Sequence, residues 1–157
     1  MTKRSVTHST FRIERSYDAT PEQVFFALAD KASKRSWFVE GEGWQVESFE
    51  MDFRPGGVER SSFRYQGGPV VSNDTVYQDI VENQRIVFAY SMAVGENRIS
   101  ASLGTIELFA EGAGTKLAYT EQGAFLDGHD NVAQREAGCR ELYEALAVEL
   151  QRNRSAA

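Results

Sequence analysis

Residues 114–150 read GTKLAYTEQGAFLDGHDNVAQREAGCRELYEALAVEL, and the spacing of their apolar residues changes halfway. In the first part Leu117 and Tyr119 stand two apart, which places both on one face of a strand. In the second part Cys139, Leu142, Tyr143, Leu146 and Leu150 recur at spacings of three and four, the stripe of an amphipathic helix. Gly128 and Asp130 can open that helix, which is expected over about residues 130–152. Its remaining surface is expected to be polar, carried by Arg135, Glu136, Arg140, Glu141, Glu144 and Arg152. Gly138 sits inside the stripe at a cost of about 1 kcal/mol relative to alanine, so its place needs a reason, such as a close backbone approach. Upstream the strand pattern repeats as Phe63 with Tyr65 and Phe88 with Tyr90. A ringed sheet face followed by a striped rod predicts an α+β chain, with the helix laid across a curved antiparallel sheet.

The rest of the chain fits that frame. Residues 6 to 17 alternate Phe11, Ile13 and Tyr17 with Arg12, Glu14 and Ser16, a strand with one apolar and one wet face. A helix follows, with Thr20 as cap, Pro21 in the first turn, and Gln23 where a capping box requires it. Its buried stripe is Val24, Phe25 and Leu28, with Ala29 beside them. A short basic helical piece covers about residues 31 to 37, and Gly41 and Gly43 mark its end. In residues 44 to 53 the apolar positions slip from even (Trp44, Val46) to odd (Phe49, Met51, Phe53), which predicts a β-bulge near Ser48. Turns at Pro55-Gly56-Gly57 and Gly67-Gly68-Pro69 bound a strand with Ser61, Phe63 and Tyr65 on one face. Strands are expected at about 70 to 81, 85 to 94, 98 to 110 and 114 to 124. The gaps between them are too short for a parallel return, so the neighbours are antiparallel. The expectation is one domain, residues 1–157, with six to seven strands and two short helices after the first.

Composition narrows the function. The chain has 157 residues, 41% of them hydrophobic, enough for a real core. A formal net charge of -6 argues against a phosphate backbone as partner, because that affinity comes from clustered Lys and Arg. One cysteine allows no internal disulfide, and the first residues lack the apolar run of a secretory signal or a membrane span, so a soluble cytoplasmic protein is expected. Asn73-Asp74-Thr75 spells a glycosylation acceptor, but without a secretion signal it carries no weight.

Candidate chemistry is sparse. His8, His129 and Cys139 do not converge in sequence and no metal-ligand spacing occurs, so no metal and no cofactor is expected. Cys139 and His129 are ten positions apart, about 15 Å along a helix, too far for a nucleophile and its base. Cys139 therefore reads as a small buried hydrophobe, and His129, between Asp127 and Asp130, as a solvated connection. Glu47, Glu50 and Asp52 read as a wet strand face. What remains is the aromatic wall. Trp37, Phe63, Tyr65, Phe88, Tyr90, Tyr119 and Tyr143 offer a large apolar area with hydroxyl and indole donors, the lining of a small-molecule pocket or else of an ordinary core.

Several stretches resemble, in order, the START-like (SRPBCC) superfamily, in the branch of the activator of the ninety-kilodalton heat-shock protein's ATPase. They are RIERSYDATP at 12–21, the helix from Val24 to Leu28, Trp37, Asp52-Phe53-Arg54-Pro55-Gly56-Gly57, the strand pair from Val76 to Val87, Gly114-Thr115-Lys116-Leu117, and Gly138 to Leu146. The resemblance implies a helix-grip fold around a hydrophobic cavity. Relatives of this kind carry hydrophobic ligands, act as polyketide cyclases or dehydratases, or activate a chaperone. Where many of them have Gly-Trp on the last helix this chain has Gly138-Cys139, which enlarges the cavity unless Tyr143 or Trp37 fills the space. The leading expectation is a binding domain for a small hydrophobic or aromatic molecule, lined by Trp37, Phe53, Phe63, Tyr65, Phe88, Tyr90, Tyr119, Cys139 and Tyr143, with no catalytic residue assigned. A cyclase-like or dehydratase-like enzyme using pocket tyrosines or Glu121 is the second expectation. A chaperone interaction is the third, and a homodimer is left open.

Overall fold

The computed structural model describes residues 3–156. In chain order they form β1 (Val6–Tyr17), α1 (Pro21–Ala29), α2 (Lys31–Phe38), β2 (Trp44–Met51), β3 (Val58–Tyr65), β4 (Val71–Val81), β5 (Arg85–Val94), β6 (Asn97–Glu111), β7 (Gly114–Leu126) and α3 (Val132–Ala156). The strands make one antiparallel sheet in the order β1-β7-β6-β5-β4-β3-β2, so the first strand closes against the last and β2 is left at the far edge. Seven strands, two short helices after β1 and a long last helix are the helix-grip fold.

Local chemistry sets the element boundaries. Thr20 Oγ1 accepts from the Gln23 amide at 3.2 Å and the Gln23 side chain accepts from the Thr20 amide at 2.9 Å, a complete capping box with Pro21 in the first turn. Asp30 ends α1 and at once caps α2, accepting from the Ser33 amide at 3.0 Å. The bulge expected near Ser48 is present: the β2–β3 register shifts between Val46 and Ser48. Two further shifts, between Tyr77 and Asp79 and between Met92 and Ala93, bend the centre of the sheet. At the turn after β2, Gly56 donates to the Tyr77 carbonyl at 2.7 Å, and the Tyr77 amide donates to Gly57 at 3.0 Å. A Cβ on Gly57 would overlap the Asp52 carbonyl, so the position requires glycine.

The core lies between the sheet's inner face and the helices. Leu117 and Leu146 are fully buried in it, with Val24 and Leu28 from α1 and Phe11 and Ile13 from β1. Burying a side chain of that size is worth about 1.5–3 kcal/mol. Tyr17 adds a polar tie, its hydroxyl donating to the Tyr143 carbonyl at 2.9 Å. No helix among the described residues is long and apolar enough to cross a membrane.

Candidate ligand-binding site

α3 does not close flat onto the sheet. Between it, α2 and the inner faces of β3 to β7 lies a cavity of about 480 Å³. Seven of the nine residues expected to line it do so: Trp37, Phe63, Phe88, Tyr90, Tyr119, Cys139 and Tyr143. The rings brace one another. Phe88 stacks on Tyr119 at 6.2 Å between centroids and 11° between planes, and Tyr119 meets Tyr143 at 5.3 Å. Trp37 is fixed by its indole, which donates to the Ala27 carbonyl at 2.9 Å.

Phe53 and Tyr65 do not border the cavity. Phe53 packs edge-on against Phe25 at 5.7 Å and Tyr77 at 5.0 Å, plugging the core beside α1. Tyr65 shares a face with Phe63 but stands at the end of β3, where it leans on Trp44 at 5.0 Å and is 48% exposed. Parity gave these residues the right face but not the right distance along the sheet. The reason for Gly138 is not a close backbone approach. A Cβ there would meet nothing within 4 Å, so no close backbone approach explains it; the position borders the cavity and leaves it open.

Each side of the cavity carries a buried ion pair between sheet and helix. On the β3 side Lys34 of α2 reaches Glu59 at 2.8 Å, and the Tyr77 hydroxyl also donates to that carboxylate; Glu59 is 3% exposed. On the β7 side the fully buried Glu121 accepts from Tyr90 at 2.7 Å, Tyr119 at 2.6 Å, Ser102 at 2.9 Å and Arg135 of α3 at 3.2 Å. Arg135 also donates to Ser100 at 2.7 Å and Asp130 at 2.8 Å. Glu121 itself does not border the cavity, whereas its donors Tyr90, Tyr119 and Arg135 do.

These surroundings fix protonation states. Burial, reinforced by the nearby Glu121 charge, pushes the Cys139 thiol and the Tyr90 phenol well above their ordinary values. Burial does the same to Tyr119 and Tyr143. At neutral pH the thiol is therefore not a nucleophile, and the phenols are hydrogen-bond donors. Burial alone would lower Arg135, but Tyr90, Glu121 and Asp130 more than offset it and hold it charged.

Residues 18–151 match the family described as Activator of Hsp90 ATPase homolog 1-like protein. The chain belongs to that family. A Rhizobium loti protein of known structure is 56% identical, with a TM-score of 0.86 over 92% of this chain and 99% of that one. A Rhizobium leguminosarum protein, uncharacterised in function, is 42% identical, with a TM-score of 0.92 over 96% and 99%. CalU16 from Micromonospora echinospora is 18% identical, with a TM-score of 0.63 over 94% and 85%, a likeness of fold alone. No curated protein matches the chain.

In this family member the polar half of the site is what the residue pattern underplays. Arg135 was expected on the outer face of the last helix, yet it is 7% exposed. It stands four residues before Cys139, on the same stripe, and that spacing was the available signal. Glu59 shares the parity of Ser61 and Phe63 on β3, so alternation already pointed it inward. Asn73, spelled as a glycosylation acceptor, faces the interior from β4 and borders the cavity. The bland readings of Glu47, Glu50, Asp52 and His129 hold, since all four are exposed, and Cys139 is buried as expected.

Proposed function

We infer that this chain binds a small hydrophobic or aromatic molecule in the cavity between the sheet and α3. The observation that carries the reading is a cavity of about 480 Å³ walled by braced rings with a few polar groups at its edges. Its size lies within the range of roughly 300–1,000 Å³ usual for such pockets, and so does the mix of lining. Titrating the protein with N-phenyl-1-naphthylamine, a neutral aromatic probe, tests the reading. The probe's fluorescence should rise on binding, and emission from Trp37 and Trp44, both on the cavity wall, should fall. Tyr143→Ala removes a ring from the wall and should weaken binding about tenfold, the equivalent of roughly 1.4 kcal/mol. No response to this probe or to a panel of neutral aromatics would overturn the assignment.

A second reading is an acid–base enzyme of the cyclase or dehydratase kind acting in the same cavity. One observation favours it: the Glu59 carboxylate borders the cavity beside the Lys34 ammonium. Glu121 suits the role less well, being set behind its donors with both oxygens already accepting. A Glu59→Gln variant that keeps ligand affinity but loses turnover of a candidate substrate would support the enzyme. Equal turnover in both proteins would remove Glu59 from it.

A further inference from the structure

The floor of the cavity is polar where a core of this size would be apolar. Pairing across the sheet sets Ser61, Asn73, Met92 and Ser100 in a row on β3, β4, β5 and β6. One step along, Glu59, Thr75, Tyr90 and Ser102 form a second row. Most of these polar groups are accounted for. Glu59 holds Lys34 and Tyr77, Tyr90 and Ser102 donate to Glu121, and Ser100 accepts from Arg135.

Ser61 and Asn73 are the exception. They face each other directly across β3 and β4, 3% and 8% exposed, and neither Ser61 Oγ nor Asn73 Oδ1 has a hydrogen-bond partner among the described residues. A buried polar atom left in that state costs the fold free energy, and native proteins leave few of them. Asn73 borders the cavity. Its Oδ1 is closed off from solvent in the unliganded chain, so a ligand completes it by turning the amide toward the cavity.

We propose that Asn73 is the polar recognition point of the cavity, accepting a hydrogen bond from the hydroxyl group of an uncharged aromatic ligand whose rings lie among Trp37, Phe88, Tyr119 and Tyr143. The proposal rests on the cavity being a ligand site and names the class of ligand. A hydroxyl is the fitting group because it carries the O–H donor that the unpartnered amide oxygen of Asn73 lacks. The ligand is uncharged because both cations on the lining, Lys34 and Arg135, are already neutralised by Glu59, Glu121 and Asp130. The remaining charged groups of the lining, Glu40 and Glu141, are acidic and repel an anion.

The test displaces bound N-phenyl-1-naphthylamine from the whole protein with three competitors of nearly one shape: 2-naphthol, 2-methoxynaphthalene and 2-naphthoate. Apolar transfer alone favours the methoxy compound. A hydrogen bond to Asn73 reverses that order, and 2-naphthol should displace the probe at about 2- to 10-fold lower concentration, the worth of one neutral hydrogen bond. Naphthoate should be the weakest of the three. In Asn73→Leu and Asn73→Ala the preference for naphthol over the methoxy compound should vanish while the probe still binds. The ligand-free melting temperature of these variants should match or exceed the wild type, because the replaced amide oxygen bonds nothing in the fold.

Failure would take one of three distinct forms. If the wild-type protein binds the probe but treats naphthol and methoxynaphthalene alike, or prefers the latter, the Asn73 amide oxygen stays out of the ligand's reach and this proposal falls while the cavity reading stands. If both variants melt several degrees lower, the amide is structural and the proposal likewise falls. If neither probe nor competitors bind, the cavity reading itself is wrong.

Discussion

Replacing Arg135 by leucine leaves Glu121 as a buried carboxylate without its cation. In the wild type the two side chains are 6% and 0% exposed, and the guanidinium nitrogen lies 3.2 Å from Glu121 Oε2. Four neutral donors, the hydroxyls of Tyr90, Tyr119 and Ser102 and the weaker Cys139 thiol at 3.8 Å, would remain on the carboxylate. Removing one partner of a buried pair costs about 3–5 kcal/mol, far more than an exposed bridge such as Arg54 to Asp52 contributes. For a chain of this size, at roughly 2–4 °C per kcal/mol, the melting temperature should fall by about 6–20 °C. Urea unfolding at pH 7, followed by far-ultraviolet circular dichroism, measures the loss. Adding Glu121→Gln to Arg135→Leu removes the stranded charge and should restore part of the stability, a coupling that a double-mutant cycle reads directly. Arg135→Lys keeps the charge but cannot serve Glu121, Asp130 and Ser100 together, so it should fall between the two. An Arg135→Leu protein within about 1 kcal/mol of the wild type, or a double variant no better than the single, would refute the account of this pair.

Three further outcomes follow from the same geometry. The Cys139 thiol and the Tyr90, Tyr119 and Tyr143 phenols are held protonated by burial, so the unfolded chain releases those protons first; stability should be whole at pH 7 to 8 and fall as pH rises past about 8.5 and then about 10. A urea midpoint that rises over that range, or rapid labelling of Cys139 by a thiol reagent at pH 8 in the folded protein, would contradict it. Gly138→Ala should stabilise α3 by about 1 kcal/mol, since a Cβ there meets nothing within 4 Å; a lower melting temperature would count against that open space. Gly104→Ala would place a Cβ 2.5 Å from the Phe88 ring, which must swing into the cavity, so affinity for N-phenyl-1-naphthylamine should drop more than stability does, and a probe titration beside a melt distinguishes the two.

The fold was legible in the residues because its cues are local. The slip from Val46 to Phe49 announces a bulge, Thr20 and Gln23 announce a helix start, and the spacing from Cys139 to Leu150 announces the last helix. The bulges at Gln78 in β4 and Ile99 in β6 carried no such mark, because no clean slip of apolar parity surrounds either residue. The site was legible only in its apolar half. Alternation names a face, but whether Tyr65 reaches under α3 depends on where β3 ends. Charged residues follow a different logic: Arg135 and Glu59 were assigned no place inside because an unpaired charge does not belong in a core. Their partners, Glu121 and Lys34, come from elements 14 and 25 residues away and become visible only in three dimensions.

The two buried ion pairs stand on opposite sides of the same hollow, one joining α2 to β3 and the other joining α3 to β7. They act as struts. An arch built only of oily residues would settle inward until its vault was filled, but a carboxylate and a cation at contact distance cannot be pressed closer or drawn apart without a heavy penalty. The roof is thereby kept at a set height above the floor, and the hollow persists as a designed dimension of the molecule rather than as a flaw in its filling.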